Sequence, residues 1–306
     1  MWLEMETGSS GAHGTLSPNT ERAIGSDWRV FTRWCTEQGV PALPAAAETV
    51  AAFVDAMAKE RATATVRRYV ASISAVHRAG GAENAVRTEP VHRALRRMHQ
   101  AKGRRQAQAR GLTWAWVRRM LSAGGDSLVE VRNRALLAVA YDTLLRRSEL
   151  VSLHAEDLIV EPDGSGTVLV RWAKTDREGY GAQQWVAPGS VALVQAWLER
   201  SGVRRGAIFR ALRSRVVGGP LGAREVPRIF REMARAAGLP PGAIADISGH
   251  STRVGAAQDM VAEGIGIASI MQAGRWRTEA SVIRYAERML AQRSGAAQLA
   301  KVQRRI

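Results

Sequence analysis

Cysteine is nearly missing from this chain: Cys35 is the only one in 306 residues. A single thiol closes no intrachain disulfide and builds no multi-cysteine zinc site, so a reducing, cytoplasmic setting is expected. Long apolar runs are missing too, and none approaches the roughly eighteen residues that a membrane span requires. The opening MWLEMETGSSGAHG has two glutamates, no basic n-region and no apolar h-region, which argues against a secretory signal. No motif recurs with the period of about 20 to 50 residues that marks a solenoid. A glycine-rich loop for nucleotide phosphates is also not found. These absences lead us to expect no metal, no nucleotide cofactor and no membrane partner.

Acidic residues are absent over one long stretch. From Pro90 to Gly125 there is none, while Arg93, Arg96, Arg97, Lys102, Arg104, Arg105, Arg110, Arg118 and Arg119 all fall there. Across the chain 44 Lys and Arg stand against 28 Asp and Glu, a formal charge of +16. So large an excess repels itself unless a polyanion neutralises it, and nucleic acid is the first candidate. Scattered surface arginines merely solvate many proteins. A one-sign stripe at a domain junction reads instead as a surface that tracks phosphates. Arg67, Arg68, Arg96, Arg97, Lys102, Arg104 and Arg105 are the candidate DNA-contacting residues of the first half.

Helical periodicity is plentiful. Residues 1–17 are Gly/Ser-rich and expected to form a disordered tail. After the capping cluster Ser17–Asn19, Ile24, Trp28, Phe31, Trp34 and Cys35 recur at helical spacing. Three further helical patterns follow, AAETVAAFVDAMAKE, ATVRRYVASISAVHRAG and VHRALRRMHQAK, so residues 18–102 read as a small helical domain with Trp28, Trp34 and Met57 in its core. Residues 103–111, arginine-bearing and without a core pattern, read as a linker. From 112 to 306 the patterns TWAWVRRMLSAG, VRNRALLAVAYDTLLRRSELVSL, SVALVQAWLERSG and AREVPRIFREMARAAG are helical. Between them GTVLVRWAKTDREGYGAQQWVAP alternates like two strands around a Gly-containing tip. The fold class is therefore mainly α, an N-terminal helical domain followed by a mostly α domain with a small β-hairpin.

The chemistry concentrates near the end. SGHSTRVGAAQDM followed by MQAGRWRTEASVIRYAERM places His250 three residues before Arg253, and Trp276 nine before Tyr285. Breaking a phosphodiester requires a nucleophile, charge stabilisation at the non-bridging oxygens and a proton for the leaving oxygen. The acids between His250 and Tyr285, Asp259, Glu263 and Glu279, form no paired motif for magnesium. Guanidiniums can fork onto phosphate oxygens without an ion. The stretch resembles the catalytic half of the tyrosine recombinases, the Cre-like members in particular. The resemblance runs almost without gaps from His250 to Tyr285 and more diffusely over most of the chain. It implies a DNA core-binding domain at 18–102 and a catalytic domain at 112–306 with a final docking helix.

Carried onto this sequence, the resemblance implies that Tyr285 is the nucleophile, with His250 and Arg253 on the phosphate and Trp276 donating its indole N–H. YDTLLRRSEL resembles the family's first arginine motif, matching Arg146, with Arg147 as the adjacent alternative and Glu149 orienting neighbours. Lys174, between the two strands, would be the general acid. Arg224 would reach a base edge and Arg228 a phosphate. GRWRT replaces a Gly-rich turn and is read as a change in local packing. The implied activity is site-specific strand exchange through a covalent 3′-phosphotyrosine and a Holliday junction. The implied partners are double-stranded DNA with a roughly palindromic site and a homotetramer. Three other readings are a type IB topoisomerase or telomere resolvase, an inactive sequence-specific DNA-binding regulator with the same fold, and a nonspecific architectural DNA binder. The full set of site residues favours the recombinase.

Overall fold

A computed structural model describes residues 16–105, 108–172, 178–214 and 216–305. The chain divides into two compact units between residues 107 and 108. Of the tail expected at 1–17, residues 1–15 lie outside the described residues.

The first unit is built from α1 (Pro18–Gln38), α2 (Ala47–Glu60), α3 (Thr63–Ala79) and α4 (Glu89–Lys102). Ser17 caps α1 by accepting from the Thr20 N–H, and Gly39 ends it in the left-handed conformation. The apolar stripes of these helices meet around an aromatic core, with Phe31 edge-on to Phe53 at 5.0 Å between centroids and Trp34 edge-on to Phe53 at 5.4 Å. Cys35 is buried here, and burial pushes its thiol up to about 11. The buried Asp27 accepts from Arg68 at 2.8 and 2.9 Å and from Ser72 at 2.9 Å. His77 is a satisfied structural histidine, its Nε2 accepting from Ala45 N–H and its Nδ1 facing the Ile73 carbonyl.

The second unit runs α5 (Trp114–Ser122), α6 (Leu128–Thr143), α7 (Arg147–Leu150), β1 (Leu158–Val160), β2 (Gly166–Val170), β3 (Ala182–Val186) and α8 (Pro188–Ser201). It continues through β4 (Arg210–Arg213), β5 (Val216–Pro220), α9 (Val226–Ala236), α10 (Pro241–Ala245), α11 (Ser251–Ala262), α12 (Ile267–Gly274), α13 (Glu279–Gln292) and α14 (Gly295–Val302). Strands β1, β2 and β3 form an antiparallel sheet in that order, with Gly166 opposite Val186 and Val170 opposite Ala182. Val168, Val170 and Val186 turn inward to a core that includes Leu136, Trp197, Phe209 and Phe230. The predicted hairpin is thus β2–β3, while β1 and the β4–β5 hairpin are additions that periodicity did not show. No described helix is long and apolar enough to cross a membrane.

One expected helix is interrupted. The pattern VRNRALLAVAYDTLLRRSELVSL continues in sequence, but α6 stops at Thr143 because Leu144 takes a left-handed φ of 50°. Its side chain is fully buried. A left-handed non-glycine residue costs about 1–3 kcal/mol, whereas truncating a buried leucine costs about 2–5 kcal/mol. Burial outweighs the strain, and the chain restarts as α7 with Arg146 at its N-cap.

Candidate active site

The break at Leu144 supplies the first wall. Its carbonyl, turned out of the helical ladder, accepts from Arg253 Nη1, while the carbonyl of Gly274 accepts from Nη2 at 3.0 Å. Arg253, on α11, is about 1 % exposed. Burial first, and then the charge of Arg146, hold its guanidinium down to about 10 against the opposing pull of Tyr285 and Glu149. It therefore remains a cation at neutral pH, with backbone carbonyls substituting for lost water.

Arg146 and Glu149 form the second wall. The buried Glu149 carboxylate accepts from the Arg146 backbone N–H at 3.0 Å and from its Nη1 at 2.8 Å. It also accepts from Nη2 of Arg275 at 2.5 Å. Burial alone would raise the Glu149 carboxyl, but the Arg146 N–H, the Arg275 charge and the Arg146 side chain together bring it below its ordinary value. Arg147 is exposed, and its side chain faces Gly249. Of the two adjacent arginines, Arg146 is the one that the carboxylate orients.

Tyr285 comes from α13, which packs with α12 against α11 around Ala257, Val261, Ile270 and Val282. Two close approaches set its position. Residues 111 and 112 lie across α11 where a Cβ on Gly255 would collide with the Leu112 carbonyl. Gln258, one turn later, donates its Nε2–H to the Tyr285 carbonyl at 3.1 Å. Trp276 rests on Gly274, leaving no room for a side chain there. Its ring lies 5.1 Å from Arg253 Cζ and 5.5 Å from the Tyr285 ring, tilted by 58°. Trp276 is thus a spacer between the buried cation and the phenol.

His250 caps α11 and is exposed to solvent. Desolvation by the protein on its inner side, followed by Arg253, Arg146 and Arg147, lowers its ring below the usual histidine range. A neutral imidazole can accept or relay a proton. Among these residues four guanidiniums, Arg146, Arg147, Arg253 and Arg275, stand against the one carboxylate of Glu149, a surplus that suits a phosphoryl group gaining charge. Lys174 lies outside the described residues. Arg275 and Gln258 were missed at the sequence level. The signal for Arg275 was its place immediately before Trp276, in the segment where a Gly-rich turn was expected.

The other basic candidates differ in what already holds them. Arg68 forks onto Asp27, Arg96 pairs with Glu89, and Arg97 pairs with Asp55. Lys102 donates to the Arg61 carbonyl at 3.1 Å. Arg105 is exposed beyond α4. Arg67, Arg96 and Arg104, with His92 and His99, line a hollow of about 320 Å³ in the first unit. Burial, then Arg104 and Arg67, lower the His99 ring. In the second unit Arg224 is exposed in the turn before α9, and Arg228 is shared between Glu225 and Glu232.

Residues 110–291 match the model of the family described as the phage integrase family. An integrase/recombinase xerD homolog of Selenomonas ruminantium is 30 % identical over 282 residues, covering 88 % of this chain and 81 % of that protein. The recombinase cre of Escherichia phage P1 is 29 % identical over 295 residues, 88 % of this chain and 84 % of that one. Among solved structures, the integrase of transposon Tn1549 in complex with transposon right-end DNA superposes with a TM-score of 0.65 at 15 % identity, covering 92 % of this chain and 95 % of that chain.

Proposed function

Because this chain belongs to the phage integrase family, the tyrosine recombinases that break and rejoin DNA strands, we propose that it recombines two copies of a short, roughly palindromic site through a covalent 3′-phosphotyrosine. The supporting observation is that α7, α11, the turn after α12, and α13 bring Arg146, His250, Arg253, Trp276 and Tyr285 to one place. In this reading Arg146 and Arg253 take the non-bridging oxygens of the scissile phosphate. The Tyr285 oxygen attacks phosphorus and loses its proton toward His250, while the 5′ oxygen leaves and takes a proton from Lys174. The ester keeps the energy of the broken bond, so the 5′ hydroxyl of another strand rejoins by the reverse step without ATP.

The multimer belongs to the same proposal. Helix α14 buries none of its residues, and Leu299 and Val302 on it are exposed. The same unit carries a cavity of about 370 Å³ in which Tyr141, Trp185, Met260 and Ile265 are joined by the acids Asp142, Asp259 and Glu263. A helix from one copy seated in the cavity of the next is a head-to-tail contact, which closes into a ring when the rotation between copies closes. A ring of four protomers on two sites is what exchange through a Holliday junction requires. Arg67, Arg96 and Arg104 around their hollow, and Arg224 before α9, are the proposed contacts to duplex DNA.

The test is a nicked suicide substrate from the native flanking DNA, read on a denaturing gel. Wild type is expected to give a covalent adduct without metal or ATP, and Tyr285→Phe none. Lys174→Ala should slow adduct formation on the order of 10²- to 10⁴-fold. Specific binding with no adduct under any condition would instead establish the inactive-regulator reading.

A further inference from the structure

Arg275 has no role in the steps above, yet its setting sets it apart from the structural arginines. It is held in the left-handed region at φ 51°, where a glycine would be unstrained. Its side chain, 13 % exposed, crosses to an acid 126 residues earlier and gives Nη2 to Glu149. Its Nε and Nη1 are buried without a hydrogen-bond partner among the described residues. The buried Arg132 shows the contrast: its Nε and Nη2 both donate to Asn133, and its Nη1 donates to the Arg210 carbonyl. An arginine kept at a strained position with most of its donors unused is poorly explained as a packing element.

We propose that Arg275 is a positioning residue that fixes Glu149, and through it Arg146, for the scissile phosphate. This rests on the recombinase reading and refines it. One Glu149 oxygen, Oε2, is shared between Arg275 and the Arg146 backbone, and the other, Oε1, is left to the Arg146 guanidinium. Arg275 thereby locks the carboxylate plane, and the carboxylate locks the arginine. It also keeps that carboxylate from cancelling Arg146 outright, since one negative charge is divided between two cations. The same residue ends α12 and precedes Trp276, so the tie joins the Arg146 segment to the segment that supports Tyr285.

Arg275→Gly is the informative variant, because glycine is the residue best suited to the backbone there and the fold should persist. Single-turnover cleavage of the suicide substrate is expected to fall roughly 10- to 100-fold, the scale of a misplaced catalytic group, with DNA affinity unchanged within about threefold. Arg275→Lys should recover part of the rate. In a Glu149→Gln background the Arg275→Gly loss should shrink rather than multiply. A readout independent of cleavage is the Nε–H resonance of Arg146 in protein labelled with ¹⁵N-arginine, assigned through Arg146→Lys. It should move in Arg275→Gly. An unmoved resonance, an unchanged cleavage rate or multiplying losses would overturn the proposal. A moved resonance in a protein whose wild type forms no adduct would sustain the tie and sink the recombinase reading.

Discussion

His250 is the residue whose behaviour pH should expose. Burial on one side and three nearby guanidiniums lower its pKa below the ordinary 6.5. The imidazole therefore stays neutral over a range where a free histidine is charged. Single-turnover cleavage should hold its plateau below pH 6.5 and fall only at more acidic values, and His250→Ala should erase that inflection. An inflection at or above 6.5 would show that the arginines do not act on the ring. The sign for stability follows: as pH drops below 6.5 the unfolded chain takes a proton that the folded site refuses, so folding weakens from there downward. Trp276 makes a second residue-scale case. Trp276→Phe keeps a ring between Arg253 and Tyr285 but removes the indole N–H, whereas Trp276→Ala removes the spacer. If spacing is the larger part, adduct formation by the phenylalanine variant will remain within about tenfold of wild type, and the alanine variant will fall further.

Helices are where the sequence was most readable, and their ends least. Apolar periodicity with Ser17 before α1 and Gly39 after it gave that helix nearly to its boundaries. Nothing comparable marked the end of α6. Leu144 and Leu145 continue an apolar pattern without glycine or proline, and the left-handed turn is held by tertiary burial, which local propensity does not record. The β4–β5 hairpin was missed for a related reason: β4 is mostly half-buried, β5 is mostly exposed, and neither alternates. Tyr285, Arg253 and His250 were singled out through the family resemblance of their stretch, while Arg275 and Gln258 reach across 126 and 27 residues through hydrogen bonds that no spacing announces. Packing at α11 gives the element-scale test. Gly255→Ala would drive the Leu112 carbonyl away from the helix. Overpacking of this kind costs about 1–3 kcal/mol, so a thermal melt should show a drop of several degrees, with cleavage reduced in proportion as α13 loses its support.

At the scale of the whole molecule the excess of positive charge makes DNA affinity a function of salt. Each phosphate neutralised contributes about 0.9 to the slope of log K against log salt. Arg104, which lines the hollow with Arg67 and Arg96, should lower that slope by about one when changed to alanine. Arg68 should behave otherwise. Its fork onto the buried Asp27 makes it a structural partner, and Arg68→Ala should destabilise the first unit by roughly 1–3 kcal/mol with little change in slope. Equilibrium binding at four salt concentrations, with a denaturant melt of each variant, separates the two outcomes. The lone thiol of Cys35 has a practical consequence at this scale. Enclosed in the aromatic core and raised to about 11, it is shielded from maleimide dyes at neutral pH. The natural protein is therefore a blank background for labelling, and one cysteine introduced on α14 would carry a fluorophore there alone. Energy transfer between differently labelled copies would then report in real time whether the proposed ring assembles on DNA.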